Sequence, residues 1–541
     1  QELLNFASNS LDGYVYDKTF YEGLIDIKFA EIKMLEGDPA EAFRIFRKST
    51  DRFFKNQSKF SATIPTDLIV IFVNTYIKIY FKLDEKNFNL SNIKTPNEVI
   101  GLNERLQTRR RLQQLKIDDS KTDMVKLQKS FLKNNEDISK YENLLVNEIT
   151  QNTYIKLNSL YEDRKKIMNK MLKKSPGVDA LFNPSGDEYA NISENIEEDA
   201  VFLSYFIDSN EILILVADSE GDKLISIKNS GSRNINYMVR ELRSSIDDLG
   251  KPFLFDQALE LYNTLLRPIE SIIQNKKTIY IFGSELENLP FGILVSGFNN
   301  SNKISDYQRL ISADWLIKSY SFARVFPSSN NRLNRNFENK FLGFANPDSF
   351  DELGLPLLPN SESEIRELSL ASGDFNKDFL LTKSNASKKN LISMLDESFE
   401  RIVFATHSVP PGWNGLTKES ALVLADKNGD FLLTATEIVD LDIKSDIVVL
   451  SSCNSDIKGT DSLYKSFLVA GANSVMYSNW NLETLSAEKI TESVFKTILF
   501  EAIPKHEALR KASIKIMNDY DNKTYAHPAF WGNFSIAYRS I

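Results

Sequence analysis

The sequence is poor in the side chains from which metal centres and covalent cross-links are built. Its 541 residues include one cysteine and three histidines. A single cysteine excludes a disulfide within the chain and any metal site made of several cysteines, and this usage is typical of reducing compartments. With so few histidines as well, we expect no metal site and no cofactor.

Long hydrophobic runs are also absent. No apolar segment approaches the roughly 20 residues that cross a bilayer, and the sequence, which begins at Gln1, displays no signal peptide. The net charge of -9 argues against a nucleic-acid surface, and the basic stretch at 105–116 fits a solvated helix face. We therefore expect a cytoplasmic protein with neither a membrane nor a nucleic acid as direct partner.

The length predicts two or more domains, because one core rarely exceeds about 250–300 residues. Residues 1–180 have a helical pattern throughout. On both sides of a Gly-Asp-Pro turn at 37–39, apolar residues recur at spacings of three and four, with small side chains at Ala30 and Ala42. This pattern predicts a helical hairpin similar to a tetratricopeptide repeat, and residues 66–83 supply a degenerate neighbour.

The texture changes at residues 181–196, which are rich in Asn, Ser and acids and which we interpret as a connecting segment. Across 197–541, helical patterns alternate with continuous apolar runs. The runs are AVFLSYFI, EILILVA, TIYIFG, KFLGFAN, RIVFATH, DIVVLSS and NSVMYSN. Such runs are typical of strands buried on both faces, so we predict an α/β sandwich with a mostly parallel sheet, divided roughly into halves 197–340 and 341–541.

Two residues with catalytic chemistry follow predicted strands. Cys453 ends the run IVVLSSC, and His407 ends RIVFATH, 46 residues earlier. The carboxyl ends of parallel strands meet at one edge of a sheet, where α/β proteins bind their ligands. Taken singly, a cysteine in an apolar run is typical of a core residue, and a histidine there is typical of a hydrogen-bonding one. Their joint placement favours catalysis.

A thiol and an imidazole together can hydrolyse a peptide bond. The thiolate attacks the carbonyl carbon, and the imidazole transfers the proton to the leaving amine. Backbone amides after each strand, those of Ser408 and Cys453, are candidate donors to the oxyanion. The other two histidines fit less well. His506 opens a helix, and His527, in a Pro-aromatic turn, is interpreted as structural, with an alternative role as the base left open.

Roughly residues 197–541 resemble the CHAT domain, a caspase-like protease module that is related to caspases and separase and is often joined to tetratricopeptide repeats in bacteria. The resembling segments follow the family order: LYNTLLRPIESIIQNKKTIYIFGSELENLPFGIL, FLGFANPD, LPNSESEIRELS, FATHSVP, DIVVLSSCNSD, SFLVAGANSVMYSNWNLE, and HEALRKASIKI with HPAFWGNFSIAY. Caspases also place the histidine about 50 residues before the cysteine.

The resemblance implies a caspase-like α/β/α sandwich, a His407–Cys453 dyad and limited, regulated cleavage of a protein substrate, with the helical region docking a regulator or substrate. Ser408 stands where the family usually has glycine, which is compatible with an amide donor unless the backbone needs positive φ. Candidate pocket residues are Asp456, Asp461 and Trp480, although Asp461 also suits a helix N-cap. A catalytically silent scaffold and a protease that stays latent until a partner binds remain alternatives.

Overall fold

The computed structural model describes two stretches near the amino end, 18–56 and 66–99 without 97, and scattered residues between 126 and 170. It also describes 193 and 196–539, except 208–210, 229–233, 249–250, 284–285, 302, 327–336, 338, 373–378, 418, 427–429, 452–462, 481–483 and 520. The chain divides into two compact units, 1–191 and 192–541. This division falls within the predicted connecting segment, while the predicted domain bounds stay a prediction.

The first unit begins with the predicted helical hairpin. Helix α1 (Lys18–Leu35) and helix α2 (Pro39–Asn56) flank the turn, where Gly37 has a φ of 80° that suits glycine. The Asp38 carboxylate accepts a bond from the Glu41 amide at 3.1 Å and so caps α2. The apolar stripe packs inward as predicted, except that Leu35, at the end of α1, is exposed.

A third helix completes the core that the hairpin begins. Helix α3 (Thr66–Asp84) covers the segment predicted as a degenerate neighbour. Phe53 of α2 stacks on Phe72 of α3 with ring centroids 3.9 Å apart, and Phe46 packs on Tyr76 at 4.7 Å. All four aromatic rings are buried, so ring packing contributes to the contact between α2 and α3.

The second unit contains a large mixed sheet and a small one. The strands are β1 (Ala200–Ile207), β2 (Glu211–Asp218), β3 (Gly221–Lys228), β4 (Thr278–Phe282), β5 (Ser321–Val325), β6 (Phe341–Ala345), β7 (Phe379–Thr382), β8 (Phe399–Ala405), β9 (Ser408–Val409), β10 (Ala421–Val423), β11 (Leu432–Thr434), β12 (Ser445–Leu450), β13 (Ser474–Ser478) and β14 (Phe534–Tyr538). All seven predicted runs form strands.

Helices alternate with these strands, as the sequence predicted. They are α4 (Ile235–Asp247), α5 (Phe255–Leu265), α6 (Glu270–Ile273), α7 (Asp306–Ser312), α8 (Leu316–Ser319), α9 (Ser349–Leu353), α10 (Pro359–Ser372), α11 (Lys388–Met394), α12 (Ala435–Val439), α13 (Leu463–Ala470), α14 (Thr484–Glu501), α15 (Lys505–Met517) and α16 (Pro528–Trp531). The predicted fold class, helices followed by an α/β unit, is confirmed.

The large sheet has the order β3-β2-β1-β4-β5-β14-β13-β12-β8-β6-β7. Of the ten pairings within it that the structure describes, seven are parallel. Every residue of β6 and β13 is buried, which explains the continuous apolar runs. β14 lies in the middle, between the strands of 200–325 and those of 341–478.

A glycine fixes the passage from α13 into β13. Gly471 has a φ of 122°, and a β-carbon placed there would lie 2.6 Å from the Ile443 carbonyl oxygen. Gly221, at the start of β3, has a similar φ of 129°, but nothing lies within 4 Å of its β-carbon position. A side chain added at Gly221 would therefore meet backbone strain alone, whereas one added at Gly471 would meet both strain and a steric clash.

We expect Gly471→Ala to lower the free energy of unfolding by more than about 3 kcal/mol, because it adds a clash to the strain. The matched Gly221→Ala change adds strain alone and should cost about 1–2 kcal/mol. Urea denaturation followed by circular dichroism measures both. Equal losses in the two variants would contradict the proposed contact with Ile443.

Candidate active site

Four neighbouring strands end at one edge of the large sheet. β13, β12, β8 and β6 run parallel in that order, so their carboxyl ends lie side by side. The first residues after these strands are Asn479, Ser451, Thr406 and Asn346. Ligands of open parallel sheets bind beyond this edge, which makes it the candidate active site.

His407 lies at this edge, two residues after β8. Its Nε2 atom lies 2.8 Å from the backbone carbonyl oxygen of Pro356. A carbonyl oxygen can only accept, so Nε2 must carry the proton and donate it. In the neutral ring this assigns the free lone pair to Nδ1, which is then the atom able to take up a proton.

Apolar packing keeps this ring neutral. The Phe350 ring lies 4.6 Å from the His407 ring, between centroids, and belongs to a buried cluster with Val409, Ala421 and Val423. Burial lowers the pKa of His407 below its ordinary value of 6.5, and the bond to the Pro356 carbonyl only partly opposes this effect. The lowered pKa favours the uncharged imidazole at neutral pH.

The small sheet fixes the backbone of the histidine segment. Its order is β11-β10-β9, and the Val423 amide of β10 donates to the His407 carbonyl at 2.9 Å. Ser408 is paired with Leu422 at the next position of this antiparallel ladder. Because bonded and non-bonded pairs alternate, the Ser408 amide is directed away from β10. Ser408 has no positive φ, so its position does not require the glycine of the family pattern.

Three predicted site residues lie outside the described residues: Cys453, Asp456 and Asp461. The strand that leads to Cys453 is nevertheless described. β12 pairs directly with β8 in parallel, and Leu450 stands opposite Phe404. In the sequence, Cys453 follows Leu450 by three residues, just as His407 follows Phe404. The dyad itself stays a prediction.

Trp480, a predicted pocket residue, is only 2% exposed. Its indole N–H donates to the Ala529 carbonyl at 2.9 Å, and the Arg243 guanidinium lies 5.3 Å from its ring. These contacts give Trp480 a packing role, and its contribution to a substrate pocket stays a prediction.

The other histidines make structural contacts. His527 accepts a bond at Nδ1 from the Ala529 amide at 3.2 Å and so caps α16. The Nδ1 atom of His506 lies 3.1 Å from the Tyr538 hydroxyl oxygen. Burial lowers the pKa of each to about 4. Among the described residues, no cluster of three or more His, Cys, Asp or Glu side chains could bind a metal ion.

Sequence reasoning missed two groups at this edge. The Pro356 carbonyl is backbone, so no side chain announces it. Glu364 of α10 is 6% exposed and accepts a bond from the Ser451 hydroxyl at 2.7 Å. Its signal was available, because Glu364 stands four residues before Leu368 on the buried stripe of α10, where a carboxylate is unexpected.

The second unit is thus an α/β domain with a neutral histidine at the carboxyl edge of parallel strands. Residues 256–540, more than half of the chain, match the CHAT domain. The chain belongs to the CHAT domain family, and the resemblance noted from the sequence is confirmed. Among the described helices, none combines the length and the apolar character that crossing a bilayer requires.

Individual known proteins match a shorter part of the chain. Tetratricopeptide repeat protein 28 of Homo sapiens is 31% identical over 112 residues, which are 20% of this chain and 4% of that protein. The Mus musculus protein is 29% identical over an equal length. This chain therefore spans only a small part of these relatives.

Two solved structures also align. The Arg-specific cysteine proteinase gingipain R has 9% identity and a TM-score of 0.35, over 56% of this chain and 74% of its own. Separase from a Saccharomyces cerevisiae separase–securin complex has 10% identity and a TM-score of 0.36, over 99% of this chain and 48% of its own. These low scores say nothing about the chemistry of this chain.

We expect the His407 ring to be the neutral Nε2–H tautomer at pH 7, and all three histidines to titrate below 6.5, with His506 and His527 near pH 4. The check is the nitrogen spectrum of protein carrying 15N-labelled histidine, with His407→Ala to assign the signal. An Nδ1–H tautomer at pH 7 would contradict the bond to Pro356, and an imidazolium at pH 7 would contradict the lowered pKa of His407.

Proposed function

We propose that the protein is a cysteine endopeptidase that cleaves a protein substrate through His407 and Cys453. The observation that carries this proposal is the state of His407: a neutral ring, held through Nε2 by Pro356, with Nδ1 left to accept a proton. It stands beside the strand that leads to the only cysteine of the chain. Membership of the CHAT family supports the same reading.

The proposed reaction begins with transfer of the Cys453 thiol proton to Nδ1 of His407. The thiolate sulfur bonds to the carbonyl carbon of the scissile peptide, and the electron pair of the C=O bond moves to oxygen. Collapse of this intermediate breaks the C–N bond, and the imidazolium returns its proton to the leaving amine. Water then hydrolyses the thioester and regenerates the thiol.

The backbone amides of Ser408 and Cys453 are the proposed donors to the oxyanion. The direction of the Ser408 amide, away from β10, supports this role. We keep Asp456, Asp461 and Trp480 as proposed pocket residues. The Pro356 bond adds a further element, because it leaves the imidazole little freedom to rotate while it holds the proton.

Regulation is the second part of the proposal. The helical first unit is proposed to dock a protein regulator or substrate, and the protease is proposed to stay latent until such a partner binds. Buried aromatic rings join α1, α2 and α3, and this packing supports a docking face. A cytoplasmic location stays a prediction.

We expect Cys453→Ala and His407→Ala each to lower substrate cleavage by at least about 10³-fold, because neither group can do its part alone. The measurement is mass-spectrometric counting of new peptide amino termini, after the purified chain is added to an extract of its native cells. That extract also supplies the proposed activating partner.

His527→Asn is the matched control. It removes a histidine but keeps an acceptor that caps α16, so cleavage should persist. Cleavage that survives either dyad variant would disprove the dyad, and loss in His527→Asn alone would make His527 the base. If the wild-type chain produces no new amino termini in the extract, the catalytically silent scaffold becomes the better description.

A further inference from the structure

A buried carboxyl group lies where β12 ends. Glu364 of α10 is 6% exposed, and its Oε1 atom accepts the Ser451 hydroxyl at 2.7 Å. Oε1 also lies 3.4 Å from the Thr491 hydroxyl of α14, although Thr491 lies nearer to carbonyls of its own helix, at 3.0 Å. Ser451 is therefore the principal partner of this carboxyl group among the described residues.

No basic side chain of the described residues compensates this group. Among the described residues, the one charged side chain that shifts its pKa is the acidic Glu488 of α14. Burial with this repulsion raises the pKa of Glu364 to about 7, although the bonds from Ser451 and Thr491 act in the opposite direction. A carboxylate would normally be paired at this depth. The raised pKa instead favours the neutral form of Glu364 far more than in an exposed carboxyl group, and we expect its charge to change near pH 7.

The elements packed around α10 carry other charged side chains, but no described one besides Glu488 is among the causes that shift the pKa of Glu364. On α14, Lys489 bonds to Asp519 and Glu492 bonds to Lys496. α10 packs on α14, β6, β7 and β8. β6 and β7 contain no titratable side chain, and β8 contributes Glu400 and Arg401, which bond to each other near its amino end. On α10 itself, Glu362 accepts a bond from Asn346, and Glu367 is exposed.

We propose that Glu364 is a positioning residue for Cys453: its carboxyl group holds the Ser451 hydroxyl and fixes the end of β12 from which the chain continues to the cysteine. Ser451 precedes Cys453 by only two residues. The inference deepens the proposed function of Cys453 and rests on it for its catalytic meaning. The contact between α10 and β12 does not depend on that function.

We expect the charge of Glu364 to influence the thiol through this short connection. When Glu364 is ionised, it accepts the Ser451 hydroxyl strongly, and its negative charge disfavours a second negative charge two residues further along the chain. When Glu364 is protonated, that repulsion disappears and the anchor weakens. The reactivity of Cys453 is therefore expected to change across pH 7, separately from the ionisation of the thiol itself.

The single cysteine makes this directly measurable. Iodoacetamide added to the folded full-length chain can alkylate only one thiol, so the rate between pH 5.5 and 9 reports on Cys453 without any cleavage assay. We expect the wild-type profile to have an inflection near pH 7 in addition to that of the thiol.

Three variants separate charge from anchoring. Glu364→Gln keeps an acceptor for Ser451 and removes the charge, so the inflection should vanish and alkylation at pH 8 should become about two- to fivefold faster. Ser451→Ala keeps the charge and removes the anchor, so the inflection should persist while the rate changes at least about twofold at every pH. Glu367→Gln, an exposed change on the same helix, should match wild type.

Thermal melts establish that each variant is folded. Coincident profiles for folded Glu364→Gln and wild type would overturn the inference. If Glu364→Gln does not fold, the outcome rests on Ser451→Ala and wild type, and an absent inflection in both overturns it equally. Loss of the inflection in Glu364→Gln supports the inference even if Cys453→Ala leaves cleavage intact, in which case the protease proposal fails alone.

Discussion

The parallel pairing of β8 with β12 is the constraint on which the rest of the site depends. Backbone hydrogen bonds set Leu450 opposite Phe404, and a slip of one residue would turn every following side chain to the other face of the sheet. This register brings two separate segments to the same edge. The small sheet, the Pro356 carbonyl and α10 then act on chain positions that this pairing has already fixed.

Much of this arrangement was readable from the sequence. The runs that became β6, β8, β12 and β13 are continuously apolar because both faces are covered, and burial on that scale leaves a clear pattern. The Gly-Asp-Pro turn likewise predicted the α1–α2 hairpin, because glycine readily adopts the positive φ that ends a helix and proline, which lacks an N–H, suits the first turn of the next one. His407 was found because its residue type is rare in this chain.

Other features could not be found in this way. β3 carries lysines among its apolar residues and lies at the sheet edge, and the strands of the small sheet have two or three residues, too few to show a period. The partner of His407 is a main-chain carbonyl oxygen. Every residue has such an oxygen, so the residue type at this position does not reveal it. The bond between Glu364 and Ser451 joins residues 87 apart, and a single sequence contains no sign of such a pairing.

The central place of β14 has a consequence for how the protein is made. Residues 534–538 join β5 to β13, so among the described strands the two halves of the sheet are connected by a segment synthesised after both of them. During synthesis, each half of the sheet has an unpaired strand edge until β14 is available. The pairings that complete the sheet join residues far apart in the sequence, which slows folding. A nascent chain therefore completes the sheet that carries the His407 edge only after β14 has left the ribosome, which delays a proposed protease until residues 534–538 have been synthesised.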